Sequence, residues 1–496
     1  MRKVLTIFAL AFCSAVSCVN TAEPEETAST NVKYTFEPEL KSLVRNPMMG
    51  WALYDDANDY VAKASDYWTN MDAIARKYAS VFYWRSRWSE LEPTEGHYAW
   101  EEDENFKALI QGALDRGLHL AFRIYVDGQD NIYNATPDFV REAGAQGFAA
   151  HRLWDDDSVN NNWTPYLDDP VFQEKFGNFI KAFAKEFDDP TKVDFIDGYG
   201  LGWWGEGHHL TCLNPSNKGN VYKWITSLYG EAFHNVILAT NCGSEIGLDV
   251  EQAVAIEGQG YIYRKDSVGS QWFADSDIDN ILKNFPDGPF IGECCYWGST
   301  SESYHPWDTD ALYAGKIASW ADYYKLACND AIKARSNFLD LREITESRGW
   351  IGMAKDEVER FMIEGGYRFT PVRIIAPSAA GSGESFKVAH EWMNSGVGMC
   401  PNNNRRWNYK YKVAFALLKD DSPVSICITD AEPSKWLKEK TSNYSSMVSF
   451  KAPKGTYALA VAIIDTSRDN EPGIKLAVKR GLYADGWLKI GDINIK

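Results

Sequence analysis

Between residues 46 and 365 short apolar runs alternate with amphipathic helical patterns, eight times over, and few folds accept that rhythm. NPMMGWALYD is followed by a helical stretch near 69–79 and then by SVFYWRSRW. In NFKALIQGALDRG, Phe106, Leu109, Ile110, Ala113 and Leu114 recur at helical spacing, and Gly117 ends the pattern. HLAFRIYV reads as the third strand. The next helix opens on Asp169 and Pro170 in capping style and carries Phe172, Phe176, Phe179, Ile180, Phe183 and Phe187 on one face. The fourth strand is placed at DGYGLGWWGEGHH, residues 197–209. NVILATN, GYIYRKDSVG, PFIGECCYWG and SNFLDLREI follow as strands five to eight, with AVAIEGQG competing for the sixth position. Strand and helix in strict alternation predict an α/β fold, a closed parallel (β/α)8 barrel.

Beyond Gly365 the texture changes. FKVAHEWMN, YKVAFALLKD, MVSFKAP and YALAVAIID are β-rich runs separated by Gly, Pro, Asn and Asp clusters. An all-β, immunoglobulin-like sandwich is expected over 366–496. At the other end, MRKVLTIFALAFCSAVSC has the basic start, apolar run and small residues of a secretory leader over 1–17. AVSC resembles the bacterial lipobox, which makes Cys18 the acylated residue. The polar, acidic TAEPEETAST then suits a tether over 18–33, with the barrel spanning 34–365. The chain is expected to be exported and lipid-anchored to the outer membrane, facing the surface or the periplasm. No later run of about twenty apolar residues suits a membrane span.

A net charge of −18 sets phosphate backbones aside as partners, so no nucleic acid is expected. The remaining cysteines, Cys212, Cys242, Cys294, Cys295, Cys328, Cys400 and Cys427, show no C-x-x-C spacing, which argues against a disulfide framework or a zinc knuckle. The chain holds 19 Trp and 26 Tyr, rings that stack on sugars and equally build cores.

Barrel enzymes carry their chemistry at the C-terminal ends of the strands. Glu206, assigned to the end of strand four, and Glu293, in strand seven, face each other across such a mouth. Two carboxyls about 5–5.5 Å apart are what retaining cleavage of a glycosidic bond requires, one as acid/base and one as nucleophile. The chain resembles glycoside hydrolase clan A, whose acid/base closes strand four and whose nucleophile closes strand seven. Among clan members it looks closest to bacterial lipoproteins with an uncharacterised C-terminal β-sandwich. YWRSRWSELEPTEGHYAW on strand two is similar to the clan's arginine followed by Trp, LEP, Gly and an aromatic residue, seen especially in β-galactosidase-like members. The chain departs from the clan at Gly205, where an Asn that binds the sugar 2-hydroxyl normally precedes the acid/base.

The resemblance implies a glycan substrate and a nucleophile oriented by Arg85 or Arg87, with a surface salt bridge as the competing role. Asn241 is a candidate for the missing Asn contact, and Asp266 for substrate binding or turn capping. Trp51 and Trp297 are candidates for sugar stacking, with core packing the alternative. Period-two alternation puts Trp204 on the face of Glu206 and Trp203 under a helix. His208 suits sugar hydroxyls or a plain loop. No metal cofactor is expected from the His208, His209 and Cys212 spacing, although the acids of AHRLWDDDSVNNNWTPYLDD are candidates for a structural calcium. The rival to an enzyme is a non-catalytic glycan-binding surface lipoprotein on the same barrel.

Overall fold

The computed structural model describes residues 30–55, 61, 63–127, 134–150, 162–296, 298, 305–308, 313, 317–342 and 344–496. Eight parallel strands close into a barrel in sequence order: β1 Gly50–Tyr54, β2 Ala79–Arg87, β3 His119–Tyr125, β4 Val193–Asp197, β5 Ile237–Asn241, β6 Ile262–Val268, β7 Phe290–Cys294 and β8 Ser336–Leu341. A helix follows each strand on the outside, from Ala64–Lys77 to Ile344–Glu364. The Phe172–Phe187 stripe lies buried against the barrel, and Asp169 caps its helix by accepting the Val171 and Phe172 amides.

One assignment moves and one competition is decided. The fourth strand is VDFID, and residues 198–209 form a turn-rich loop, because Gly200, Gly202, Gly205 and Gly207 all take positive φ and break the extended path. The competing AVAIEGQG run is helical, continuing Leu248–Glu251 through Gln252–Glu257, so β6 is IYRKDSV, inside the GYIYRKDSVG stretch where it was expected.

Side chains alternate between the two faces of each strand. One parity packs under the helices: Trp51 and Leu53, Phe82 and Trp84, Leu120, Phe122 and Ile124. The other parity fills the barrel, starting low with Ala52, Val81, Ala121, Phe195, Ile237, Ile262, Ile291 and Phe338. This lower layer is continuous with Phe369, Trp392 and Trp436 of the C-terminal domain.

That domain is a sandwich. Phe369–Pro377, Ser385–Asn394 and Ser442–Ser449 form one sheet, and Trp487–Ile495, Gly455–Asp465, Tyr411–Lys419 and Ser422–Ile428 lead the other. The first sheet gains an edge strand from Asn31–Thr35, antiparallel to Phe369–Pro377. Those residues fall across the expected boundary between tether and barrel. They belong to the sandwich because Asn31 to Thr35 run in register with Pro377 to Arg373. The sandwich sits under the N-terminal end of the barrel, where Asn337 donates to the Met399 carbonyl (2.8 Å) and Asn404 to the Gly260 carbonyl (3.0 Å).

The cysteines from Cys212 to Cys427 are unbridged, and five of the seven are buried. Among the described residues no helix is long and apolar enough to cross a membrane. Cys18, the leader and residues 18–29 of the tether lie outside the described residues.

Candidate active site

Two residues further up four of the strands, the inner face changes character. Above Ala121 stands Arg123, above Phe195 Asp197, above Ile262 Arg264, and above Ile291 Glu293. All four are buried, Arg123 completely (0 % exposed). A cation at such depth persists only when its donors are matched. Arg123 matches them fully: Nε donates to Tyr83 Oη (2.8 Å) and Asp197 Oδ2 (2.9 Å), Nη1 to Glu206 Oε1 (2.9 Å) and the Trp204 carbonyl (3.2 Å), and Nη2 to Glu293 Oε2 (2.6 Å) and Tyr54 Oη (3.2 Å).

Arg264 repeats the grip from the opposite wall. Its Nη1 donates to Asn241 Oδ1 (2.5 Å), and its Nη2 reaches both Glu206 Oε1 (3.2 Å) and Glu293 Oε2. A third guanidinium, that of Arg342 just past β8, donates to Glu293 Oε1 (2.8 Å). Glu206 and Glu293, 87 residues apart in the chain, therefore meet on one nitrogen atom.

The loop 198–209 carries Glu206 to that point. Trp203 and His208 pair across a tight reversal, with the Trp203 amide on the His208 carbonyl (3.0 Å) and the Glu206 amide on the Trp203 carbonyl (2.9 Å). Asn241 donates its side-chain amide to the Glu206 carbonyl, which ties the loop to β5. Gly205 has φ +72°, and a Cβ there would lie 3.2 Å from Arg123 Cδ and 3.2 Å from Gly200 Cα. The left-handed backbone favours glycine here, and a side chain would press on Arg123 and Gly200.

The two carboxyls differ in electrostatics. Burial, reinforced by the negative charge of Asp266, pushes Glu206 up to about 7, against the opposing charges of Arg123, Arg85 and Arg342. Its Oε2 faces His208 Nε2 at 4.0 Å, and burial holds His208 below the usual histidine range. Glu293 accepts from three guanidiniums, those of Arg123, Arg264 and Arg342, where Glu206 accepts from two. A carboxyl raised to about 7 can give up a proton near neutrality, which is what acid-assisted displacement needs of one member of a pair.

The expected site residues fall into three groups. Glu206, Glu293, Asn241, Asp266 and His208 come together; Glu206, His208 and Asp266 bring one side-chain ligand atom each within 4.8 Å of one another. Arg85 is buried on the inner face beside its register partner Arg123, and its charge favours the ionised form of Glu206. Arg87 pairs with Glu90.

Trp51 is a correction. It is fully buried with the opposite parity, its indole donating to the Val358 carbonyl (2.9 Å) and its ring set edge-on to Trp350 and Phe361. The tryptophan pair is another, because strand parity does not apply in a turn. Trp204 takes φ +54° and is half-buried, and Trp203 stacks on His209 rather than under a helix. Trp297 and the acids at 155–157 lie outside the described residues. Asp168 and Asp169, which close the long β3–β4 loop, spend their oxygens on the Leu213, Asn214, Val171 and Phe172 amides. The motif around LEP also holds its own turn together, since buried Glu92 accepts the Trp88 indole N–H (2.8 Å) and the Gly96 amide (2.8 Å).

Sequence reading passed over Arg123, Arg264, Arg342, Asp197, Tyr54 and Tyr83. The signal was present in HLAFRIYV and GYIYRKDSVG, where an arginine interrupts an apolar strand on its inward parity.

No protein-family model and no curated protein matches the chain. Solved structures do resemble it. Endo-glycoceramidase II from Rhodococcus sp. aligns at 12 % identity over 84 % of this chain and 100 % of its own, with a TM-score of 0.42. A GH30 endoxylanase from Clostridium papyrosolvens C71 aligns at 11 % identity over 84 % and 97 %, with a TM-score of 0.38. A GH10 xylanase from Thermobacillus composti aligns at 9 % identity over 60 % and 84 %, with a TM-score of 0.36. The chain itself is a (β/α)8 barrel followed by a β-sandwich, with two acidic side chains joined at the barrel mouth.

Proposed function

We propose that the protein is a retaining glycoside hydrolase acting on an oligosaccharide or polysaccharide, exported and held at the outer membrane by an acylated Cys18. The observation that carries the proposal is the contact of both carboxyls with Arg264 Nη2. Oxygens sharing one donor favour the short spacing of retaining enzymes, about 5–5.5 Å, over the roughly 6.5–9.5 Å of inverting ones.

In the first step Glu293 attacks the anomeric carbon while Glu206 passes its proton to the departing oxygen. In the second, Glu206, now a carboxylate, takes a proton from water as that water displaces Glu293. Arg123, Arg264 and Arg342 orient the nucleophile and keep it charged. Asn241 and the glycines of the loop hold Glu206 in line.

The test is a polysaccharide panel incubated with the mature protein, followed by a 2-fluoro glycoside matching the hit. A covalent adduct on the Glu293 peptide is expected. Glu206→Ala is expected to slow turnover by about 10²–10⁴-fold, with partial rescue by azide. Activity that survives Glu293→Gln overturns the mechanism. The non-catalytic, glycan-binding alternative draws support from the same arginine, whose nitrogen lies against both acids; release of reducing ends from the hit separates the two readings. Loss of fatty-acid labelling in Cys18→Ala tests the anchor.

A further inference from the structure

Among the described residues one tryptophan stands out in solvent. Trp272 is 55 % exposed, while the other large rings of the barrel are mostly spent on its core. It lies in the short connection after β6, the strand that supplies Arg264 and Asp266. A solvent-facing indole forgoes much of the stabilisation that its burial would bring.

The connection is built to present this ring. The Ser270 amide and hydroxyl both donate to the Ser267 carbonyl (3.0 and 2.8 Å), Ser270 Oγ accepts the Trp272 amide (3.2 Å), and Ser267 Oγ donates to the Trp272 carbonyl (3.2 Å). Phe273, the next residue, is buried (5 % exposed) and stacks on Phe290 at the start of β7. The Tyr313 hydroxyl holds the Gly269 carbonyl. The backbone is pinned on both sides of an outward ring.

A second ring stands next to it. Tyr296, three residues past Glu293, has its centroid 6.2 Å from that of Trp272 at 52°. Tyr323 fixes it by accepting the Tyr296 amide on its hydroxyl oxygen (3.0 Å). The Cys295 amide donates to the Val268 carbonyl (3.2 Å), locking the ends of β6 and β7 together.

We infer that Trp272, flanked by Tyr296, is a binding platform for a neutral pyranose unit of the glycan, beyond the unit joined to the scissile bond. The inference rests on the glycosidase reading of the neighbouring carboxyls. A ring sugar with equatorial hydroxyls offers an apolar C–H face that matches an indole, and its rim of hydroxyls stays in water. A backbone pinned on both sides of the ring lowers the ordering cost of binding.

The experiment uses the full mature chain carrying Glu293→Gln, so that binding is read without turnover, with Glu206→Gln as a second background. Xylohexaose, cellohexaose, mannohexaose and galactohexaose are titrated by calorimetry and by intrinsic fluorescence. One hexasaccharide is expected to bind and to change the tryptophan emission. Trp272→Ala is expected to weaken that binding at least about tenfold, and Trp272→Phe to restore most of it. In the otherwise native enzyme, Trp272→Ala should raise KM on that hexasaccharide more than it lowers kcat. Equal binding by the Trp272→Ala protein overturns the inference, as does a panel in which nothing binds. Binding that depends on Trp272, with no 2-fluoro glycoside adduct at Glu293 of the native chain, would leave the platform standing and remove the hydrolase reading.

Discussion

The two ends of the barrel interior are built on the same eight strands and the same side-chain parity, yet they are chemical opposites. At the N-terminal end Ala121, Phe195, Ile262 and Ile291 merge with Phe369, Trp392 and Trp436 of the sandwich. One step up, Arg123, Asp197, Arg264 and Glu293 occupy the same lines. The lower layer is sealed by a domain and draws its stability from apolar burial. The upper layer contributes little net stability, because desolvating its charges offsets their attraction. Its value is geometric, since matched charges hold two acids against one another. A displacement of two residues separates the part that holds the molecule together from the part that gathers the charged groups.

The sharpest way to break that comparison is Arg123→Met. It leaves Asp197, Glu206 and Glu293 short of a cation, with an expected loss of about 3–5 kcal/mol in urea unfolding. Arg123 lowers Glu206, so its loss raises that carboxyl above about 7, and the deficit should shrink as pH falls towards about 7, where Glu206 is protonated in both proteins. Ile262→Ala, one step below Arg264, should cost about 2–5 kcal/mol through a cavity, with no such dependence on pH. Equal pH profiles for the two variants would erase the distinction between the layers.

Activity offers a finer probe. Glu206 must be protonated to act as the acid, so kcat/KM should fall as pH rises through about 7. Asp266 is a negative neighbour that raises Glu206, so Asp266→Asn lowers it and moves that fall to lower pH. A limb that stays in place, or moves up, would assign the titration elsewhere. The smallest effect is expected outside the barrel wall: Trp51→Phe removes the bond to Val358 and should cost about 1–2 kcal/mol, with KM unchanged.

Much of this was legible in the chain. The helix around Phe172–Phe187 announced its cap and its buried stripe, and seven of the eight strands fell where apolar runs lay between helical patterns. The fourth strand was displaced because VDFID is short while the aromatic run after it looks strand-like; only the positive φ of its glycines turns that run into a loop. Trp51 was open to a better reading, since parity with Ala52 and Tyr54 puts it on the outer face. Gly205 was readable as a departure from the clan and not as a fit to Arg123, because that contact joins residues 82 positions apart.

Local spacing was enough to specify the alternation of strand and helix, the inward parity of Glu293 and the change of texture after Gly365, since each depends on a few neighbouring residues and the two backbone periods. Which arginines would grip which acids was decided by closure of the barrel, which brings β3, β6, β7 and the end of β8 around one axis. Burial then demanded that every charge there find a partner. The pairing of Glu206 with Glu293 is a consequence of that confinement, and no stretch of sequence contains it.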